Sequence, residues 1–234
     1  MPTDSAPLDA PTPYWSDGKL SRLPDDAEFD RAFPDSVRES SALHWTSVEV
    51  CRQAAAWLVT GPETRVLDVG CGPGKFCAIG ALTTPGQFTG VEQRRLLCRN
   101  AREMLGRYGI RRVQIMHANI TEVSFNCFDA FYLFNPFEEN LSPSLKIDDE
   151  VKVRFELYDR YINYVRRELS KLRLGTRVVT YWGDCDEIPS CYDCVDETYD
   201  GELRFWIKRR AGTTVEIARE AISITGNECD FPID

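Results

Sequence analysis

The stretch Val66-Leu67-Asp68-Val69-Gly70-Cys71-Gly72-Pro73-Gly74-Lys75-Phe76 constrains this chain more than any other. Its first four residues form a short, β-branched, nearly apolar run, which predicts a strand buried on both faces. Three glycines at alternate positions then let the backbone turn sharply and approach a ligand with no Cβ atoms in the way. The apolar run FCAIGAL that follows predicts a helix, whose first free N–H groups favour an anionic or polar group. Strand, glycine turn and helix in this order open a βαβ unit, and that unit demands a parallel sheet.

The pattern continues down the chain. SVEVCRQAAAWLV predicts a helix with Val48, Ala54 and Leu58 on one face, stopped by Gly61-Pro62. QFTGVE reads as a strand, and residues 94–108 as a helix with Leu97, Ala101, Met104 and Tyr108 aligned. Residues 113–117, FDAFYLF, TRVVTYW, ELRFWIK and TTVEIAREA read as further strands, the last two pairing as a hairpin around Arg210-Ala211-Gly212. Residues 148–170 predict a long helix with Val151, Phe155, Tyr158, Ile162, Val165 and Leu169 in register. The expected fold is therefore α/β: a doubly wound, mostly parallel seven-stranded sheet with an antiparallel C-terminal edge strand and helices on both faces. Residues 41–234 form this Rossmann-like domain. Residues 1–40 hold six of the 13 prolines, with nine acids against four bases, and are expected to be irregular. Their deletion is expected to leave the melting temperature nearly unchanged.

Composition bounds the function. A chain of 234 residues with net charge -9 does not grip nucleic acid by overall phosphate neutralisation, although a local basic patch stays open. No apolar run approaches a membrane span, and the N-terminus lacks a signal-peptide pattern. Nine cysteines, an odd number, lie scattered in apolar segments, so reduced thiols and a cytoplasmic location are expected. Cys185, Cys191, Cys194 and Cys229 would suffice for zinc, but the paired C-x2-C spacing is absent, so structural thiols and no metal are expected.

The dinucleotide fingerprint G-x-G-x-x-G would need its third glycine at Lys75; the spacing here is G-x-G-x-G. With Asp68 at the strand end, the loop resembles the first motif of class I S-adenosylmethionine-dependent methyltransferases. The likeness extends over roughly residues 46–220. Glu92 ends the next strand, where an acid accepts both ribose hydroxyls. Asn119-Ile120 follows the third strand, where the family reads the adenine amino group. Asn135-Pro136-Phe137 follows the fourth, at the family's reactive-centre loop. The resemblance implies S-adenosylmethionine as cofactor, with Asp68, Gly70, Cys71, Gly72, Gly74, Lys75, Phe76, Glu92, Gln93, Asn119, Ile120 and Asn135 around it. Each has a plainer reading: a packing turn for the glycines, a solvated carboxylate for Glu92, a turn-forming amide for Asn119.

On the acceptor side the candidates are Asn135, Pro136 and Phe137 as catalytic residues, with Trp45, Phe137, Tyr181 and Trp182 binding substrate. An amide oxygen accepts from an amine, and an aromatic ring stacks on a planar group. Phe134-Asn135-Pro136-Phe137 resembles the N-P-P-aromatic loop of amino-methylating enzymes, but with one proline and the aromatic one residue early. It also reads as a plain strand-ending turn. Trp45 either closes the pocket or staples the next helix, and His117 is expected to be structural. Residues 94–112 carry seven arginines and residues 183–202 eight acids with no base. Both read as solvated faces, or the acidic loop attracts a cationic substrate and the arginine helix touches RNA. The expected activity is N-methylation of a protein lysine or small amine. RNA methylation and a non-catalytic cofactor-binding scaffold for a partner enzyme are the alternatives.

Overall fold

The computed structural model describes residues 15–16, 19–20, 22–39, 44–141 and 147–212. Seven strands form one sheet: β1 (Arg65–Val69), β2 (Gln87–Glu92), β3 (Val113–His117), β4 (Ala130–Phe134), β5 (Arg177–Tyr181), β6 (Tyr192–Thr198) and β7 (Leu203–Lys208). Their spatial order is β3-β2-β1-β4-β5-β7-β6. The first five run parallel, while β7 pairs antiparallel with both β5 and β6. The strand order reverses at β1 and β4, so a crevice opens beyond their C-terminal ends.

Helices cover both faces: α1 (Asp26–Asp30), α2 (Asp35–Arg38), α3 (Val48–Leu58), α4 (Lys75–Thr83), α5 (Arg95–Arg107) and α6 (Phe155–Lys171). One apolar cluster gathers α3, α4 and α5 against one face of the sheet, and a second gathers α6 and the 3-10 turns Ile120–Glu122 and Phe125–Cys127 against the other. The Ser47 side chain caps α3 by accepting from Val50 N. Helix α4 is buried from Lys75 to Ala81, which is why its sequence is apolar all round.

Three expectations need correction. Residues 183–202 do not form a loop throughout: β6 lies within them, and its exposed residues carry the acids Asp196 and Glu197. The hairpin is thus β6–β7, and TTVEIAREA lies outside the described residues. The long helix starts at Phe155 rather than 148, because Asp148 and Glu150 are drawn to the start of α5: Arg94 Nε donates to Asp148 (3.1 Å) and Arg95 N to Glu150 (2.8 Å). Phe155 itself is exposed.

The segment before residue 40 is also more ordered than its composition suggests. Helices α1 and α2 and the turn between them bury Phe29, Val37 and Phe33. The Lys75 ammonium, almost fully buried, donates to Asp26 (2.7 Å) and Asp30 (2.8 Å). Asp26 also accepts from Val48 N (2.8 Å), so one carboxylate ties α1 to α3 and α4.

Among the described residues no His, Cys, Asp and Glu cluster could hold a metal, and no helix is long and apolar enough to cross a membrane. Cys185, Cys191 and Cys194 are free thiols; Cys229 lies outside the described residues. Cys127 is disulfide-bonded, which departs from the expectation of reduced thiols throughout.

Candidate active site

The glycine loop lies at the end of β1. Gly70, Gly72 and Gly74 have φ of 73°, 53° and 79°, the left-handed region that L side chains rarely adopt. Gly70 N and Cys71 N both donate to Val91 O (3.0 Å), which bonds the turn to β2. A Cβ on Gly72 would lie 2.4 Å from the Trp45 ring, so glycine here makes room for the indole. Trp45 is held there by its Nε1–H, which donates to Val37 O (3.1 Å).

Glu92 ends β2, buried beside this loop. Oε2 accepts from Gly72 N (3.1 Å) and Oε1 from Arg94 N (2.8 Å). Burial raises its pKa, while the two N–H groups and the Arg94 charge act against that rise. Asp68, one strand over, is buried too, and burial pushes its carboxyl up to about 7. Its oxygen accepts from the Cys77 thiol at 3.4 Å.

A cavity of about 230 Å³ opens at these strand ends. It brings together Gly70, Gly72, Glu92, Gln93, Asn119, Ile120, Asn135, Pro136, Phe137, Trp45 and Trp182 from distant parts of the chain. It does not include Asp68, Cys71, Gly74, Lys75, Phe76 or Tyr181. Lys75 is turned away by its ion pairs with α1, and Phe76 stacks on Tyr132 in the core, with ring centroids 3.9 Å apart. Tyr181 packs against Phe134, which does line the cavity.

Asn119 does two things at once. Its Oδ1 accepts from Thr121 N and Oγ1, capping the turn at 120–122, while Nδ2 donates to Tyr161 OH (2.8 Å). Asn135 has φ of 36°, a strained value for a residue with a side chain, and Asn is among the few types that tolerate it. Its Nδ2 donates to Glu138 Oε2 (2.7 Å), which fixes the amide and leaves Oδ1 as the acceptor. Phe137 packs on Tyr161, with centroids 5.1 Å apart. Trp182 is half exposed, its Nε1 donating to Glu202 (2.8 Å). His44 lines the cavity beside Trp45, and burial lowers its pKa, so the neutral ring is favoured. His117 is bonded to Gln93 O (3.1 Å) and lies outside the cavity.

Sequence reasoning missed Arg94, Glu138 and Glu139. Arg94 is buried between acids that lie 45 and 54 residues further on, and no local spacing signals that.

A parallel sheet whose strand order reverses at a crevice beyond its C-terminal ends defines a Rossmann-like, doubly wound protein. Residues 66–147 match the family described as Methyltransferase domain. Over 74 residues the chain is 36% identical to 23S rRNA (uracil(1939)-C(5))-methyltransferase RlmD from Klebsiella pneumoniae; the match covers 32% of this chain and 17% of that protein. The fold is similar to TrmN from Thermus thermophilus (TM-score 0.54, 16% identity, 74% of this chain and 52% of that one). It is also similar to a variant of MtNAS solved in complex with S-adenosylmethionine (TM-score 0.50, 14% identity, 70% and 62% covered). Over residues 66–147 the chain thus carries a methyltransferase domain match, on a fold it shares with these proteins.

The residues present fit S-adenosylmethionine as cofactor. Each Glu92 oxygen accepts one backbone N–H and keeps a lone pair, so the carboxylate can accept two vicinal hydroxyls. The cofactor supplies a methyl group on a sulfonium whose departure leaves a neutral thioether.

Proposed function

We propose that this protein is a methyltransferase that methylates nitrogen, on a protein lysine or a small amine. The observation that carries this reading is the acceptor side of the cavity, which the carboxylate of Glu138, the rings of Trp45 and Trp182 and the carboxamide of Asn135 all line. Carboxylates attract an ammonium and repel a phosphate. Aromatic faces hold cations over their rings. The oriented Oδ1 of Asn135 accepts an N–H from the amine and turns its lone pair towards the cofactor pocket. Glu92, Gln93 and Asn119 hold the nucleoside, and Asn135-Pro136-Phe137 aligns the acceptor, so the protein's contribution is chiefly proximity and orientation.

The similarity to the rRNA enzyme favours a second reading, RNA methylation. The net charge of -9 and the Glu138 carboxylate on the cavity wall weigh against it.

Incubating the protein with cell lysate and radiolabelled S-adenosylmethionine, then digesting with protease or nuclease, separates the readings. Label in amino acids or small amines is expected. Nuclease-sensitive label would establish the RNA reading, and no label at all would favour the scaffold. Asn135→Ala should lose the label by about 10²-fold while cofactor affinity stays within a few-fold, because alignment acts chiefly in the transition state.

A further inference from the structure

Arg94 carries the most heavily engaged buried charge at the cavity. Its side chain is 3% exposed, and its guanidinium meets three carboxylates. Nε lies 3.1 Å from Asp148 Oδ1 and Nη2 lies 2.5 Å from Glu139 Oε2. Nη1, by contrast, stands 3.9 Å from Glu92 Oε1, beyond hydrogen-bond reach, although Arg94 N donates to that same oxygen at 2.8 Å. Two residues on from Glu92, Arg94 could fold its guanidinium straight back onto the carboxylate. It is instead pulled towards the wall formed by residues 139 and 148.

We infer that Arg94 is a positioning residue for Glu92: it supplies the counter-charge to that carboxylate while Glu139 and Asp148 hold its guanidinium back, so both Glu92 oxygens stay open to a ligand diol. The inference rests on the proposed reading of Glu92 as the acceptor of the ribose hydroxyls. A guanidinium bonded directly to Glu92 would occupy the lone pairs the hydroxyls need. A guanidinium absent altogether would leave a buried carboxylate with only two backbone N–H donors. The charges around Glu92 make that second case severe. Asp68 faces it from β1 and Glu139 from the cavity wall, each a further carboxyl that disfavours its charge, while the neighbouring Cys71 and Cys98 are held as neutral thiols by burial. Among the described residues Arg94 is the cation that lowers its pKa, and His44, beside Glu139 and Arg94, is held towards its neutral form by burial.

The test measures the dissociation constant of S-adenosylhomocysteine by calorimetry at pH 6 and pH 8. Wild-type affinity should change by less than about 3-fold between them. Arg94→Met keeps the stem and removes the charge; it should bind about 10-fold more weakly at pH 8 and more weakly still at pH 6, because losing the counter-charge raises the Glu92 carboxyl further. A flat pH profile or an unchanged affinity would overturn the inference. If melting shows Arg94→Met unfolded, Glu139→Gln combined with Asp148→Asn releases the guanidinium instead. About a 10-fold loss is then expected as it closes on Glu92, and unchanged or tighter binding would overturn the inference. Glu92→Ala separates the two levels. Unchanged affinity there refutes the reading of Glu92 itself, whereas a loss of about 100-fold with an unaffected Arg94→Met refutes only the role of Arg94.

Discussion

Asp68 sits where water does not reach, 3% exposed in the middle of the sheet, with a thiol as its side-chain donor. Its carboxyl is held up to about 7 by burial, against an ordinary value of 3.8. Between these two values the folded chain binds more protons than the unfolded one. Stability therefore falls as pH rises from about 4 to about 7 and stays at the lower level above that. Asp68→Asn keeps an acceptor for Cys77 and removes the charge. It should raise the melting temperature above pH 7, by up to about 4 kcal/mol in stability, with the gap closing below about pH 4. Thermal melts at pH 4, 6 and 8 check this; a variant less stable than wild type at pH 8 would show that the carboxylate is compensated.

The N-terminal helices show how a polar-looking segment becomes an integral layer. Phe29 and Phe33 are almost fully buried, and each is worth about 1.5–3 kcal/mol by burial alone. Asp26 and Asp30 neutralise the Lys75 ammonium at the start of α4, and removing the partners of a buried charge costs about 3–5 kcal/mol. The expectation that residues 1–35 are dispensable is therefore reversed. Their deletion should lower the melting temperature sharply or abolish cooperative unfolding. Adding Lys75→Met to the deletion should recover part of the loss, since no charge is then stranded. Equal melting of the full-length and shortened chains would contradict this account of α1.

The whole molecule places its ligand site where the strand order reverses, between β1 and β4, lined by His44 and Trp45 from before α3 and by Phe137, Glu138, Glu139 and Ile147 from beyond β4. Ligand contacts made by such separate segments exist only in the folded chain, so binding and folding are linked. S-adenosylhomocysteine at about 100 times its dissociation constant should add about 2.7 kcal/mol of stability. In a chain of this size that corresponds to a rise of roughly 5–10 °C in melting temperature. A scan with no shift at millimolar ligand would count against the cofactor pocket.

The local sequence alone determined the strand–glycine–helix unit, the five parallel strands and the positions Gly70, Gly72, Glu92, Asn119 and Asn135 that line the cavity at the strand ends. Those features are governed by interactions between near neighbours in the chain: period, β-branching, glycine φ and the ends of strands. It could not reveal β6, because an exposed edge strand rich in acids lacks the alternation that marks a half-buried one. Nor could it reveal that Lys75 belongs to α1 rather than to a ligand, that Arg94 is caught between Glu139 and Asp148, or that the Trp45 ring lies against Gly72. In each case the partner is 27 to 54 residues away. A buried ion pair or a ring against a glycine is selected by what the folded backbone brings within a few ångströms, and only the tertiary structure decides that.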